Sequence, residues 1–332
     1  MCKVEKSNLP PMAPVEPQAT KPKFRFPLDP TDEPHATRRK LIMAKYPEVK
    51  KLFGHCWKTK YVIAATVALQ TYLALNAQYM SWPAYLLIMY CIGGTANHAM
   101  MMGMHEVSHN LGFKKPVHNK LLGIIANLPI GVPSSISFKR YHLEHHRYQG
   151  EDGVDVDLPT ELEGKIFNNK LTKFLFVVFQ LFFYGGRPLI FFNVVVCLCY
   201  NYAIYVYGGL SGLLYLLIGT VLGCGVHPVA GHFIAEHYEF VLGYETYSYY
   251  GILNRVTFNV GLHNEHHDFP FVPGSRLHQV RALAPEFYNN LPSHKSWVKV
   301  QVDYIMDDNI NAYSRVKRHN LTDDVKEKMK SD

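Results

Sequence analysis

An all-α integral membrane protein is the fold class that the sequence predicts, with about four transmembrane helices in two hairpins and a cytosolic histidine-rich helical cap. Three observations carry this. Four long apolar runs hold no charged residue, basic residues are confined to the segments outside them, and histidines recur at helical spacing where the runs end.

The apolar runs are Tyr61–Met80, Pro83–Met104, Pro188–Tyr207 and Leu210–Val226. Each approaches the roughly 20 residues that a helix needs to cross a bilayer. A buried core helix is the alternative for any one of them, but four uncharged runs in 332 residues favour membrane spans. All 34 Lys and Arg lie elsewhere: 13 in residues 1–60, 10 in 105–187 and 11 in 229–332. The connections Ser81–Trp82 and Gly208–Gly209 carry none. The positive-inside rule then puts both termini and the long middle segment in the cytosol, with two short turns on the far side. A net charge of +7 suits a protein lying on anionic headgroups, and no nucleic-acid-binding pattern is visible. The six cysteines form no C-x-x-C pair, which argues against a disulfide framework or a thiolate zinc site.

Before the first run, residues 1–26 carry Pro10, Pro11, Pro14, Pro17 and Pro22 and read as a disordered arm. Residues 27–58 include the basic, amphipathic stretch Arg38–Tyr46, expected either on the membrane surface or as a soluble cap on the catalytic region. The membrane domain is assigned to 59–322 and a flexible tail to 323–332. Leu121–Val132 is short and broken by Pro129 and Pro133, so it reads as interfacial or re-entrant. Lys173–Tyr184 is also too short to span and is expected along the interface.

The histidines carry the chemistry. His105 and His109 are four apart, and the pattern His, two residues, His, His occurs at His142, His145 and His146 and again at His263, His266 and His267. Positions three and four apart share a helix face, so each cluster points its imidazoles one way. Eight imidazoles exceed the needs of one four-coordinate ion, and two transition-metal ions are the natural reading. His98 precedes His105 by seven residues, on nearly the same face. His232 and His237 follow the last span, and at least one of them is a further ligand candidate. Glu106, Glu144 and Glu265, inside the clusters, are candidate acceptors for ring N–H groups, with surface salt bridges as the alternative. Between the clusters, Glu151, Asp152, Asp155 and Asp157 form an acidic alternation that reads as a divalent-cation loop or, more simply, a solvated turn.

A competing reading takes His105-Glu106-x-x-His109 as a zinc metalloprotease motif, with Glu106 activating a zinc-bound water. It leaves the two other clusters without a task. Two irons near lipid point instead to oxygen activation, because redox-inert zinc cannot supply the oxidant that an unactivated CH₂ requires.

The three clusters, in this order and separated by pairs of spans, resemble the membrane fatty-acid desaturase and hydroxylase superfamily. More narrowly, Phe138–His142, Asp152–Asp157, Gly231–Tyr238, Gly243–Gly251, Thr257–Gly261 and the segment Asp32–Pro47 are similar to the sphingolipid Δ4-desaturases, over roughly Pro30 to His319. The resemblance implies an endoplasmic-reticulum enzyme that converts dihydroceramide to ceramide by a trans C4–C5 double bond in the sphingoid base. It implies two iron ions, O₂ as co-substrate, and electrons from NAD(P)H through cytochrome b5 and its reductase. The eight cluster histidines carry over as iron ligands, with one more before the third cluster: His237 first, His232 second. A C4-hydroxylase making phytoceramide is the nearest alternative. The chain begins Met1-Cys2, without the glycine directly after the first Met that myristoylation of some relatives requires, and Lys328 and Lys330 resemble a cytosolic retrieval signal.

Overall fold

A computed structural model describes residues 24–29, 33–183 and 191–318. It is mostly helical: α1 (Pro34–Lys45), α2 (Thr59–Asn76), α3 (Trp82–Ile88), α4 (Thr95–Ser108), α5 (Pro116–Asn127), α6 (Ser135–Arg147), α7 (Glu161–Ile166), α8 (Lys170–Phe183), α9 (Phe191–Cys224), α10 (His232–Ala235), α11 (His263–Asp268), α12 (Gly274–Leu283) and α13 (Trp297–Met306). Strands β1 (Ser248–Tyr249) and β2 (Ser293–His294) pair in parallel.

Helices α2, α3, α4 and α9 form an apolar layer whose outward side chains include Tyr61, Leu69, Leu86, Leu87, Phe192 and Leu198. Its interior holds a closed polar network. Gln70 donates to Asn97 at 2.5 Å, Asn97 to Thr220 at 2.8 Å, and the Tyr215 hydroxyl to Gln70 at 3.1 Å. Satisfying these groups internally is what permits them in apolar surroundings. Small residues let the backbones approach: a Cβ built on Gly223 of α9 would overlap the Gly94 carbonyl.

Among the described residues, one helix, α9 at 34 residues, is by itself long and apolar enough to cross a bilayer, where the sequence leads one to expect four. The reasons are local. A π-helical turn over Met89–Gly94 divides the second run between α3 and α4. The first run mixes Gln70, Thr71, Asn76 and Gln78 with its apolar residues. The third and fourth runs join in α9, apart from residues 188–190, which lie outside the described residues. Within α9, Gly209 has φ 68° and ψ −173°, a conformation open mainly to glycine. Asn201 donates to the Gly131 carbonyl at 2.8 Å, and a Cβ on Gly131 would meet Leu217. Those two positions would stand about 24 Å apart on a straight helix, so the backbone bends sharply between them.

The Leu121–Val132 stretch falls on α5 and the turn beyond it, where the chain bends by 114° into α6. Val117, Leu121 and Ile125 line one exposed face of α5, and Leu171, Phe174 and Leu175 are exposed on α8. The remaining helices form a cap with two hydrophobic cores. One gathers Phe176, Tyr238, Tyr249, Trp297 and Tyr304; the other joins Ile42 and Val49 to Leu262, Phe269, Val280 and Tyr288.

Helix α1 starts where Glu33 accepts from the backbone N–H groups of His35 and Ala36, with Pro34 pre-setting the first turn. Its buried residues, His35, Arg38 and Ile42, face α11, so this side of the helix packs on the segment that carries the third histidine cluster. Residues 1–23 of the Pro-rich arm, the tail with Lys328 and Lys330, and Tyr184 lie outside the described residues. Phe26 packs edge-on to Tyr313 at 4.9 Å.

Gly223→Val is expected to force α4 and α9 apart and cost about 1–3 kcal/mol. The measurement is the melting temperature of detergent-solubilised protein, and no change would reject the close crossing.

Candidate metal centre

Helix α4 leaves the apolar layer at His105 and ends at His109, which places both imidazoles at the cap boundary. Helix α6 brings His142, His145 and His146, and the six-residue α11 brings His263, His266 and His267. These segments converge. His105, His109, His142, His146 and His266 offer ring nitrogens that all lie within 4.8 Å of one another, and so do His145, His237 and His267. His263 joins the second set through Nε2, 2.9 Å from His237 Nε2. All eight cluster histidines and His237 thus fall into a group of five and a group of four, adjacent where the rings of His146 and His267 stack at 4.1 Å.

Hydrogen bonding alone cannot satisfy this arrangement. His142 Nε2 faces His109 at 2.7 Å and His146 at 3.1 Å. His146 Nε2 also faces His266 at 3.0 Å, and His237 Nε2 faces His145 at 3.0 Å as well as His263. A ring nitrogen carries one hydrogen or one lone pair, so it can serve one such neighbour and not two. The buried Nε2 atoms of His105 and His267 have no hydrogen-bond partner among the described residues. A cation among the lone pairs resolves both problems. With bonds of about 2.1 Å, donors at adjacent corners around one ion stand about 3 Å apart, as observed here. The donor set therefore fits two metal ions held by neutral nitrogen.

Protonation favours the same use. Burial pushes His105 down to about 3 and holds His109, His142, His146, His237, His263, His266 and His267 well below the ordinary histidine range. These imidazoles are neutral at pH 7, as ligation requires. His145 differs: burial would lower it, but the neighbouring Asp155 carboxylate outweighs burial and raises it. The group of four is buried throughout, whereas His109, His142 and His146 leave the group of five partly open.

The one carboxylate hydrogen-bonded to a ring of the two groups, among the described residues, comes from outside the clusters. Asp155 Oδ1 lies 3.0 Å from His145 Nδ1 and is steadied by the N–H groups of Gly150 and Asp157. Burial would raise Asp155, yet His145 and Arg315 hold it below the usual carboxylate range. Glu236 Oε1 stands 3.4 Å from His263 Nδ1 and 3.8 Å from His232 Nε2. The glutamates within the clusters do other work. Glu265 accepts from Ser248 and Tyr250, Glu144 pairs with Arg140, and Glu106 accepts from the Gly274 N–H at 3.1 Å and Thr59 at 3.4 Å. Glu106 is thus engaged by two donors, and five imidazoles around His105 and His109 exceed a three-ligand zinc site. Both observations count against the metalloprotease reading.

The acidic alternation is neither a solvated turn nor a cation loop. Glu151 and Asp155 are buried, Arg315 pairs with Asp157 at 2.7 Å and Lys317 with Asp152 at 3.0 Å. His232 is placed outside both groups, with Nδ1 on the Val229 carbonyl at 3.2 Å, and His98 rests its Nδ1 on the Gly223 carbonyl at 2.9 Å. Sequence reasoning missed Asp155 as a ring partner and Glu236 as a close neighbour of His263. An acidic residue flanking the second cluster, and one beside His237, were the available signals.

Asp155→Ala is expected to weaken metal retention about 10- to 100-fold, because removing the acceptor of a ligand's N–H loosens ring orientation and basicity. Dialysis against graded chelator, followed by metal analysis, measures it, and wild-type retention would show that Asp155 does not support His145.

Comparison with known proteins agrees with this arrangement. Residues 80–297 match the fatty acid desaturase family model, and residues 26–58 match the sphingolipid Delta4-desaturase model. The chain is 53% identical over 300 residues to sphingolipid delta(4)-desaturase DES1 of Drosophila melanogaster, covering 87% of this chain and 94% of that protein. It is 50% identical over 298 residues to the DES1-like protein of Oryza sativa subsp. japonica, covering 87% and 91%, and 48% identical over 301 residues to DES1 of Homo sapiens, covering 87% and 93%. With helices that bring histidine-rich segments together and likeness to desaturases along nearly its whole length, the chain belongs to the sphingolipid Δ4-desaturase family of oxidoreductases.

Proposed function

We propose that this enzyme converts dihydroceramide to ceramide by introducing a trans double bond between C4 and C5 of the sphingoid base. The convergence of nine imidazoles into two groups is the observation that carries this reading. His105, His109, His142, His146 and His266 would hold one iron, and His145, His237, His263 and His267 the other. His232, second choice for the extra ligand, hydrogen-bonds to a backbone carbonyl. When bound, two irons would supply the oxidising power for removing hydrogen from an unactivated CH₂, with O₂ as co-substrate and electrons from NAD(P)H through cytochrome b5 and its reductase.

The protein's own residues prepare that chemistry. Burial keeps most of the imidazoles neutral, so their nitrogens stay available, and Asp155 orients the ring of His145. The partly open group of five is the side at which a lipid chain would approach, and the enclosed group of four keeps bulk water away.

The protein would sit in the endoplasmic-reticulum membrane with both termini cytosolic and a cytosolic or interfacial amphipathic helix at 27–58 preceding the membrane domain at 59–322. Four crossings in two hairpins, turning at Ser81–Trp82 and at Gly209, are supported by the left-handed Gly209 and by the outward apolar belt. Tyr79, Trp82 and Tyr207 are strongly exposed beside those turns, as residues at a membrane interface are. The exposed faces of α5 and α8 would then rest on the cytosolic leaflet.

Labelled dihydroceramide fed to membranes containing the protein should yield ceramide, and His263→Ala should lower the yield by more than about 100-fold, since it removes a ligand and not merely a ligand's support. Phytoceramide as the main product would make the enzyme a C4-hydroxylase. Metal analysis of active protein should find about two irons per chain, and zinc in their place would overturn the oxidative reading.

A further inference from the structure

Helix α11 supplies three of the nine imidazoles, yet it is six residues long. A helix of this length is not stable alone, so its rotation about its own axis must be set by what it packs against. That rotation matters. An imidazole nitrogen sits roughly 6 Å from the axis, so a turn of about 20° moves it about 2 Å, while metal–ligand distances tolerate about 0.2 Å.

The opposing contacts come from α1. Arg38 donates from Nε to Asp268 Oδ2 at 2.6 Å and from Nη2 to Asp268 Oδ1 at 3.0 Å, a two-pronged grip on one carboxylate. Arg38 Nη2 also donates to Asn264 Oδ1 at 2.9 Å. His35 Nδ1 lies 2.7 Å from Asp268 Oδ1, its Nε2 lies 3.1 Å from Thr246 Oγ1, and its ring is 4.8 Å from that of His267. Tyr288 completes the set by donating to Asp268 Oδ2 at 2.8 Å. Asn264 and Asp268 are four apart and each directly follows a histidine, His263 or His267. Gripping the face that they share therefore sets the bearing of the adjoining face, which carries the imidazoles.

We propose that α1 is a positioning element for the metal centre, with Arg38 and His35 acting through Asp268 and Asn264 to fix the rotation of α11. It makes the segment matching the Δ4-desaturase model, residues 26–58, a working part of the site rather than a membrane anchor. The loss on releasing the grip is uneven. Two of the four histidines around His237 come from α11, but one of the five around His142.

The inference rests on the reading that both groups hold iron; wild-type protein without iron would defeat that reading before Arg38 is tested. Full-length Arg38→Leu, purified in detergent, should retain about one iron per chain in place of two, lose the spectroscopic signature of a coupled iron pair, and lose at least tenfold in turnover. Arg38→Lys keeps the charge without the fork and should recover part of the second iron. Tyr46→Phe removes an exposed contact between the N-terminal segment and Glu286 and should leave iron and turnover unchanged. Should Arg38→Leu fail to accumulate as folded protein, Arg38→Lys alone decides, by an iron content between one and two per chain. A folded Arg38 variant with both irons and wild-type turnover would overturn the proposal, and so would equal loss from the two groups.

Discussion

Nine imidazoles crowd into one place, and the rest of the cap is arranged to make that tolerable. Nitrogens about 3 Å apart repel one another if all carry lone pairs, and most of them cannot escape by protonation, because burial holds their proton affinity far below the ordinary range. The cluster is thus a donor set that two cations would fit. The same burial that withholds protons keeps the ligand atoms available.

Such a cluster must be braced from outside, since the elements that carry it are short or lie at helix ends. Asp155 reaches His145 from a loop whose acidic residues are neutralised by Arg315 and Lys317. Glu236 stands by His263, and α1 lays Arg38 across Asp268. The Arg38–Asp268 pair is wholly buried, and burial would by itself raise the Asp268 carboxyl. Arg38 and His35 outweigh burial and hold it below its ordinary range. Breaking such a pair on one side is costly, about 3–5 kcal/mol, because the partner's charge is left uncompensated. That cost ties the N-terminal segment to the third cluster.

The apolar layer beneath serves the cap through close approach rather than bulk. Glycines at 94 and 223 allow α4 and α9 to touch, and Gln70, Asn97, Thr220 and Tyr215 bind the helices by a closed set of hydrogen bonds. Helix α4 runs from this layer directly into His105 and His109, so the packing of the layer sets the height at which the first two imidazoles emerge.

The helical class, the apolar runs and the eight cluster histidines were legible in the sequence because they follow from composition and from the 3.6-residue period, both local properties. Which imidazoles share a group was not, since His146 and His266 meet across more than a hundred residues and only the fold decides such distances. His237 ranked ahead of His232 only through the family resemblance, and the end of α10 separates them in space: the His232 ring turns to the Val229 carbonyl, the His237 ring to His145. Arg38 looked like any basic residue of an amphipathic helix, and Asp155 like part of a solvated loop. Whether a charge meets water or a buried partner depends on what packs over it, and spacing along the chain carries no record of that.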